Sequence, residues 1–258
     1  MAMDLEASCS LSVIFCASPR EARRLPDVLL DAHQHLQLVA SERAGFTFEI
    51  IAVVDAADPS PPRGMARVLE LRAPGAAEAI RAGALGSKGA VLLFAPADGG
   101  VRPSELLRLA DLLSPPHAAA AAAAPPPPRV ALGLRGKRTA VLPRAVQLLA
   151  ASLTQVDDPD SNAFAMSRAA ARMLLLERPA SSLDELLALL LRRGGYLSQV
   201  AGTALVLRAR RLRIPITTAK LAWVQMEPSS NSLLSALVAL CQLLLLWVRT
   251  RVGLPMGM

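Results

Sequence analysis

Two carboxylates are placed where they could do chemistry, because each closes a short apolar run. Phe48-Glu-Ile-Ile-Ala-Val-Val-Asp55 ends in an acid, and Ala90-Val-Leu-Leu-Phe-Ala-Pro-Ala-Asp98 leads into Gly99-Gly100. Short, uniformly apolar runs stopped in this way predict buried parallel strands. In open α/β sheets, ligands bind outside the carboxyl ends of the strands, where strand order reverses. Asp55 and Asp98 are therefore the candidate binding residues.

The other polar constellations point to structure. Asp31, His33 and His35 lie two apart on a helical stretch, so they face different sides and cannot converge on one metal. Gly136-Lys137-Arg138-Thr139 resembles the end of a phosphate loop, but Ala131 stands where its first glycine belongs. Ser87 lacks the flanking glycines of a nucleophile elbow and is expected at a helix end. Ser182 with Glu185 has the spacing of a capping box. His117 has no partner in sequence. Arg208, Arg210, Arg211 and Arg213 form the densest basic run, expected to be solvated or salt-paired, with phosphates of lipid or RNA as the functional counterpart.

Strands alternating with helices are needed to hold the two acids at one edge. Leu11–Phe15 predicts a first strand, followed by a helix through Leu25, Val28, Leu29, Leu36 and Val39. Phe48–Asp55 is the second strand, Arg67–Arg72 the third, Gly75–Gly86 a helix, and Val91–Phe94 a central parallel strand. Pro103 opens a further helix. Residues 114–128, rich in alanine and proline, read as a low-complexity insert with no core-forming capacity. Arg129–Gly133 resumes the sheet and Ala163–Ser167 adds a short strand. Helices are expected at Arg168–Glu177, Ser182–Arg193 and Leu197–Arg211. Ile214–Trp223 alternates as an edge strand with a proline near its start. An amphipathic helix over residues 231–250 closes a single domain spanning residues 1–258. The fold class is α/β, a mostly parallel Rossmann-like sheet flanked by helices.

Bulk properties narrow the class of partner. The chain has 258 residues, 53% of them hydrophobic, ample for one large core. Its net charge of +7 fits phosphates, an anionic membrane surface or nucleic acid, but aromatic residues are only 3%, so a base-stacking platform is not expected. Cys9, Cys16 and Cys241 have no metal-ligand spacing and imply reduced, buried thiols. Leu233–Val248 is interrupted by Ser235 and Gln242 and is shorter than the ~20 residues of a spanning helix. It is expected to lie on protein or on a membrane surface.

The order of these pieces resembles the family 2 glycosyltransferases of GT-A fold, closest to the dolichyl-phosphate β-glucosyltransferases. The resemblance is carried by Leu11-Ser-Val-Ile14 with Arg24-Leu-Pro26, by Phe48–Asp55, and by Ala79-Ile-Arg-Ala-Gly83 before Ala95-Pro-Ala-Asp-Gly99. Ile214-Pro-Ile216 and Trp223 with Glu227 and Ser229 extend it over nearly the whole chain. It implies a GT-A fold binding UDP-glucose with Mg²⁺ or Mn²⁺, and glucose transfer to dolichyl phosphate.

The motifs of that activity are degenerate. The metal-binding Asp-Ala-Asp of the family reads Pro96-Ala97-Asp98, and its uridine-binding Asp-Asp-Gly-Ser reads Asp55-Ala56-Ala57-Asp58. Its Asn-Glu-Glu becomes Arg20-Glu21-Ala22, its Gly-Lys-Gly-Gly becomes Gly75-Ala76-Ala77-Glu78, and the acidic pair expected before Ile214 falls on Gly202 and Ala204. The expectation is a vestigial nucleotide-sugar site at Asp55 and Asp98, no catalytic residue, no bound cofactor, and a pseudoenzyme serving as a structural subunit among other protein subunits. The compartment is then a membrane-associated organellar complex, the mitochondrion. An active enzyme, with Asp98 as its metal ligand and Asp58 and Glu78 as substitutes, would work at the endoplasmic reticulum membrane.

Overall fold

A computed structural model of the chain describes residues 9–18, 21–56, 64–72, 76–113, 127–134, 141–159, 163–176, 198–223 and 243. Strands β1 (Cys9–Cys16), β2 (Phe48–Asp55), β3 (Arg67–Leu71), β4 (Gly89–Pro96), β5 (Val130–Leu134), β6 (Phe164–Ser167) and β7 (Ile216–Lys220) form one sheet in the order β3-β2-β1-β4-β6-β5-β7. All neighbours are parallel except β6, which runs antiparallel to both β4 and β5. The mostly parallel Rossmann-like sheet is as expected, with β4 at its centre and β7 at its edge.

Six helices flank the sheet among the described residues: α1 (Leu25–Glu42), α2 (Ala76–Gly86), α3 (Pro103–Asp111), α4 (Val141–Thr154), α5 (Arg168–Ala171) and α6 (Ser198–Arg211). The period-two side-chain alternation of the strands divides the core between the two faces. Leu11, Val13 and Phe15 of β1, with Ile50, Ala52 and Val54 of β2, pack under Leu25, Leu29 and Leu36 of α1 and Leu106 and Leu109 of α3. Ile14, Ile51, Val53, Leu92 and Phe94 face the other way, toward α2, α5 and α6. Each fully buried side chain of this size contributes about 1.5–3 kcal/mol.

Two close approaches depend on glycine. A Cβ on Gly89 would lie 2.3 Å from the Ser12 backbone nitrogen, and one on Gly83 would lie 2.5 Å from Ile14 Cγ2. The first lets β4 start hard against β1, where the Ser12 hydroxyl accepts from the Gly89 N–H at 2.7 Å and donates to Glu49 at 2.6 Å. The second lets α2 lie close on the sheet.

Some expectations are corrected. Helix α4 was not anticipated; Val146, Ala150 and Thr154 form its buried stripe opposite exposed Arg144 and Ser152, and the 61% exposed Leu148 on that outer face blurs the pattern. The helix expected over Arg168–Glu177 is four residues of α5 followed by a π-helical turn at Arg172–Leu176. The Ser167 side chain caps α5 by accepting from the Ala170 N–H. Ser182–Arg193, the closing helix over 231–250 apart from the buried Leu243, and most of the insert lie outside the described residues. The insert's end is tied down, since Pro127 O accepts from the Ser167 hydroxyl at 3.3 Å.

Candidate functional site

The chain passes from β1 through α1 to β2 on one side, then returns from β3 through α2 to β4 on the other. Strand order thus reverses at β1, and the carboxyl ends of β2, β1 and β4 form the crevice a ligand would use. Register levels these ends, because Cys16 pairs with both Val53 and Pro96. Asp55 lies two residues beyond Val53 and Asp98 two beyond Pro96. Asp55, the last residue of β2, and Asp98, in the turn just after β4, therefore stand at the carboxyl ends of the two strands that flank β1.

Both acids are half-buried. Asp55 is the last residue of β2, and the next N–H, that of Ala56, is hydrogen-bonded to Leu71 O, which fixes the end of the strand. Asp98 sits in a turn that its own side chain builds: Oδ1 accepts from the Gly100 N–H at 2.8 Å. Gly99 has φ +76°, a left-handed conformation that glycine adopts without steric cost. A Cβ on Gly100 would stand 3.0 Å from Asp98 Oδ1 and 3.4 Å from the Trp223 ring. Val101 then bridges antiparallel to Trp223, so the chain beyond β7 closes over this turn.

Three neighbours of the crevice are not among the site residues expected from the sequence. Cys16 ends the middle strand and packs toward the face that carries Ile14 and Val53. Burial, with the nearby Glu21 carboxylate adding to it, pushes its thiol pKa from 9.0 up to about 12. Glu21 is already occupied, since its carboxylate accepts from the Ser18 N–H at 2.9 Å and the Ser18 hydroxyl at 2.7 Å. The Glu21 N–H in turn donates to Ser18 O at 2.9 Å, so the two residues close the turn that leads into α1. Glu105 of α3 accepts from the Ala222 N–H at 3.3 Å and pairs with Arg108 at 3.6 Å, binding α3 to the chain after β7.

The remaining sequence candidates do not join Asp55 and Asp98. Glu78 is exposed in the first turn of α2, where a carboxylate favours the helix dipole. Gly202 and Ala204 are buried within α6. His33 packs edge-on against Phe48, with ring centroids 6.0 Å apart. Among the described residues no group of three His, Cys, Asp or Glu side chains is arranged to hold a metal ion. Asp58, Gly75, His117 and Lys137 lie outside the described residues.

The sequence matches no family model and no curated protein. Solved structures do match. Glucosyl-3-phosphoglycerate synthase from Mycobacterium tuberculosis, in complex with uridine diphosphate, is 16% identical with a TM-score of 0.54, covering 97% of this chain and 82% of that one. Mannosyl-3-phosphoglycerate synthase from Rubrobacter xylanophilus is 13% identical with a TM-score of 0.59, covering 97% and 77%. The shared architecture, over nearly the whole chain, gives this protein the fold of the GT-A glycosyltransferases.

Proposed function

We infer that this protein keeps the scaffold of a nucleotide-sugar site without the groups that transfer the sugar, and serves as a non-catalytic structural or interaction subunit of a larger assembly. The observation that carries the reading is Pro96. It stands at the end of β4, level with Cys16, at the position of the first acid in the metal motif that this stretch resembles. Proline offers no side-chain oxygen there, and one oxygen of Asp98 is engaged by the Gly100 N–H. Magnesium and manganese take oxygen ligands in near-octahedral sets. The residues present do not fit such an ion, and no catalytic step is derived through one. Removal of the acceptor's proton asks for a base within about 3 Å, whereas the positions expected to supply it are Gly202 and Ala204. Groups that act as a unit are lost as a unit, so several such changes together leave little rate.

A second reading is an active dolichyl-phosphate β-glucosyltransferase. It is favoured by Asp55 and Asp98, which stand at the carboxyl ends of β2 and β4 on either side of β1. Purified full-length protein incubated with UDP-glucose, Mn²⁺ and dolichyl phosphate separates the two. No lipid-linked glucose is expected; turnover that disappears in Asp98→Ala would establish the enzyme. The subunit reading places the protein with other subunits of a membrane-associated organellar complex such as a mitochondrial one, and the enzyme reading places it at the endoplasmic reticulum membrane. Isolating the native protein and identifying what copurifies tests the location and the partners together.

A further inference from the structure

The edge of the sheet opposite the crevice gathers cations. Lys88 precedes β4, Arg168 follows the antiparallel β6, Arg129 precedes β5 and Arg213 lies just ahead of β7. Register places them side by side: Val91 pairs with Ser167, Val130 with Met166, and Val130 also with Ile216. Backbone bonds link Arg129 to Ser167 and Val130 to Pro215. Four consecutive strands thus each carry a cation at one edge, over three strand spacings or about 14 Å. Arg168 is held by donating from Nε to Gly89 O at 2.9 Å, and Arg210 by donating to Gln155 at 2.7 Å. Lys88, Arg129 and Arg213 are exposed. On the other half of the same edge the charges are paired, Arg43 with Asp111 at 2.8 Å and Arg67 with Glu49 at 3.9 Å.

A second feature falls on this edge. Helices α1, α2, α3 and α6 all end there, and each presents an exposed leucine within four residues of its last: Leu38 at 55% exposure, Leu85 at 39%, Leu112 at 39% and Leu212 at 40%. Leu212 stands between Arg211 and Arg213. Cations interleaved with exposed leucine suit a surface that is anionic above and apolar beneath. Phe46 and Phe48, aromatic residues at this edge, pack against the core instead of offering a face to nucleic-acid bases.

We propose that the amino-terminal edge of the sheet docks on an anionic lipid bilayer, with Lys88, Arg129 and Arg213 meeting the headgroups and Leu38 and Leu212 entering the interface. The residues named are other than Leu233–Val248, and the test below reads binding without any assay of turnover. This docking turns the crevice away from the bilayer.

The test is partition of the full-length protein onto vesicles of phosphatidylcholine with and without phosphatidylserine. Binding is expected only with phosphatidylserine and is expected to fall with salt. The combined variant Lys88→Gln, Arg129→Gln, Arg213→Gln should lower partition at low salt roughly a hundredfold, each cation near such a surface contributing about fivefold. Arg129→Lys with Arg213→Lys should retain it. Leu38→Ser with Leu212→Ser should weaken binding while leaving its salt dependence. Circular dichroism checks that the variants fold; Arg213 already has φ +55°, and glutamine meets the same backbone cost. The proposal is overturned if the parent protein binds neutral vesicles equally well or does not partition at low salt. It is also overturned if both the charge and leucine variants still bind, or if the protein ignores vesicles but binds an RNA oligonucleotide through these cations.

Discussion

Cys16 shows how much a single position can report about this crevice. Its thiol ends the middle strand, level with Val53 and Pro96, and its pKa is raised by burial first and by Glu21 second. Since the nucleophile is the thiolate, alkylation by iodoacetamide at pH 8 is expected to be far slower in the folded protein than in urea. The same shift links to stability. The folded state holds this proton more tightly than the unfolded one, so its contribution is complete below pH 9 and is lost as pH rises from there toward about 12. A Cys16→Ala variant should show a shallower loss of melting temperature over that window, and an unchanged slope would sever the link. Asp98 makes a different demand. Gly100→Ala would press a methyl group against the carboxylate that orders the turn, 3.0 Å away, and against Trp223. That variant is expected to be destabilised by about 1–3 kcal/mol, read as an earlier urea midpoint. Residue types alone exposed the two acids, because an acid after an apolar run is conspicuous. They could not expose Glu105 as tied to the chain after β7, since its partner there is the Ala222 N–H, a group that every residue but proline carries.

Elements were legible where burial and periodicity agree. β2 spans Phe48–Asp55 as read from its apolar run, and α3 begins at Pro103, whose missing N–H costs nothing in a first helical turn. The antiparallel sense of β6 was not legible, because Phe-Ala-Met-Ser buried on both faces reads the same in either direction. α4 was missed because the exposed Leu148 blurs its stripe of Val146, Ala150 and Thr154. The junction of β1, β2 and β4 was equally hidden, since nothing in Ser12, Glu49 or Gly89 alone announces that they meet. Glu49 there accepts from the Ser12 hydroxyl and the Lys88 N–H and pairs with Arg67. The junction makes a firm prediction. Gly89→Ala puts a Cβ into the Ser12 backbone, which cannot yield as a flexible side-chain tip can. A cost of about 3 kcal/mol, or roughly 6–12 °C in melting temperature, is expected. Ser87→Ala, a few residues earlier, loses only a hydroxyl bond to Ala84 O and should cost about 1 kcal/mol. Calorimetry of the two variants tests the ranking.

At the scale of the molecule, the sheet has two edges with different chemistry, and their orientation decides between the functional readings. An eight-residue strand such as β1 separates the edges by about 26 Å. A lipid-linked acceptor can reach Asp98 only if the crevice faces the bilayer, while the cations and leucines lie at the far edge. Tryptophan provides the means of telling these apart. The chain holds two, and Trp223 packs beside the Asp98 turn at the crevice edge. In a Trp247→Phe variant the remaining emission therefore reports on that edge alone. Bound to phosphatidylserine-containing vesicles whose acyl chains are brominated, this variant should keep its fluorescence, because quenching by bromine needs near contact and the opposite edge is the one docked. Strong quenching would put the crevice against the lipid, removing the docking geometry and restoring the geometry that transfer to a membrane-embedded phosphate requires. A label carried on Leu212→Cys should give the complementary result, quenched in the docked protein and unaffected when salt releases it.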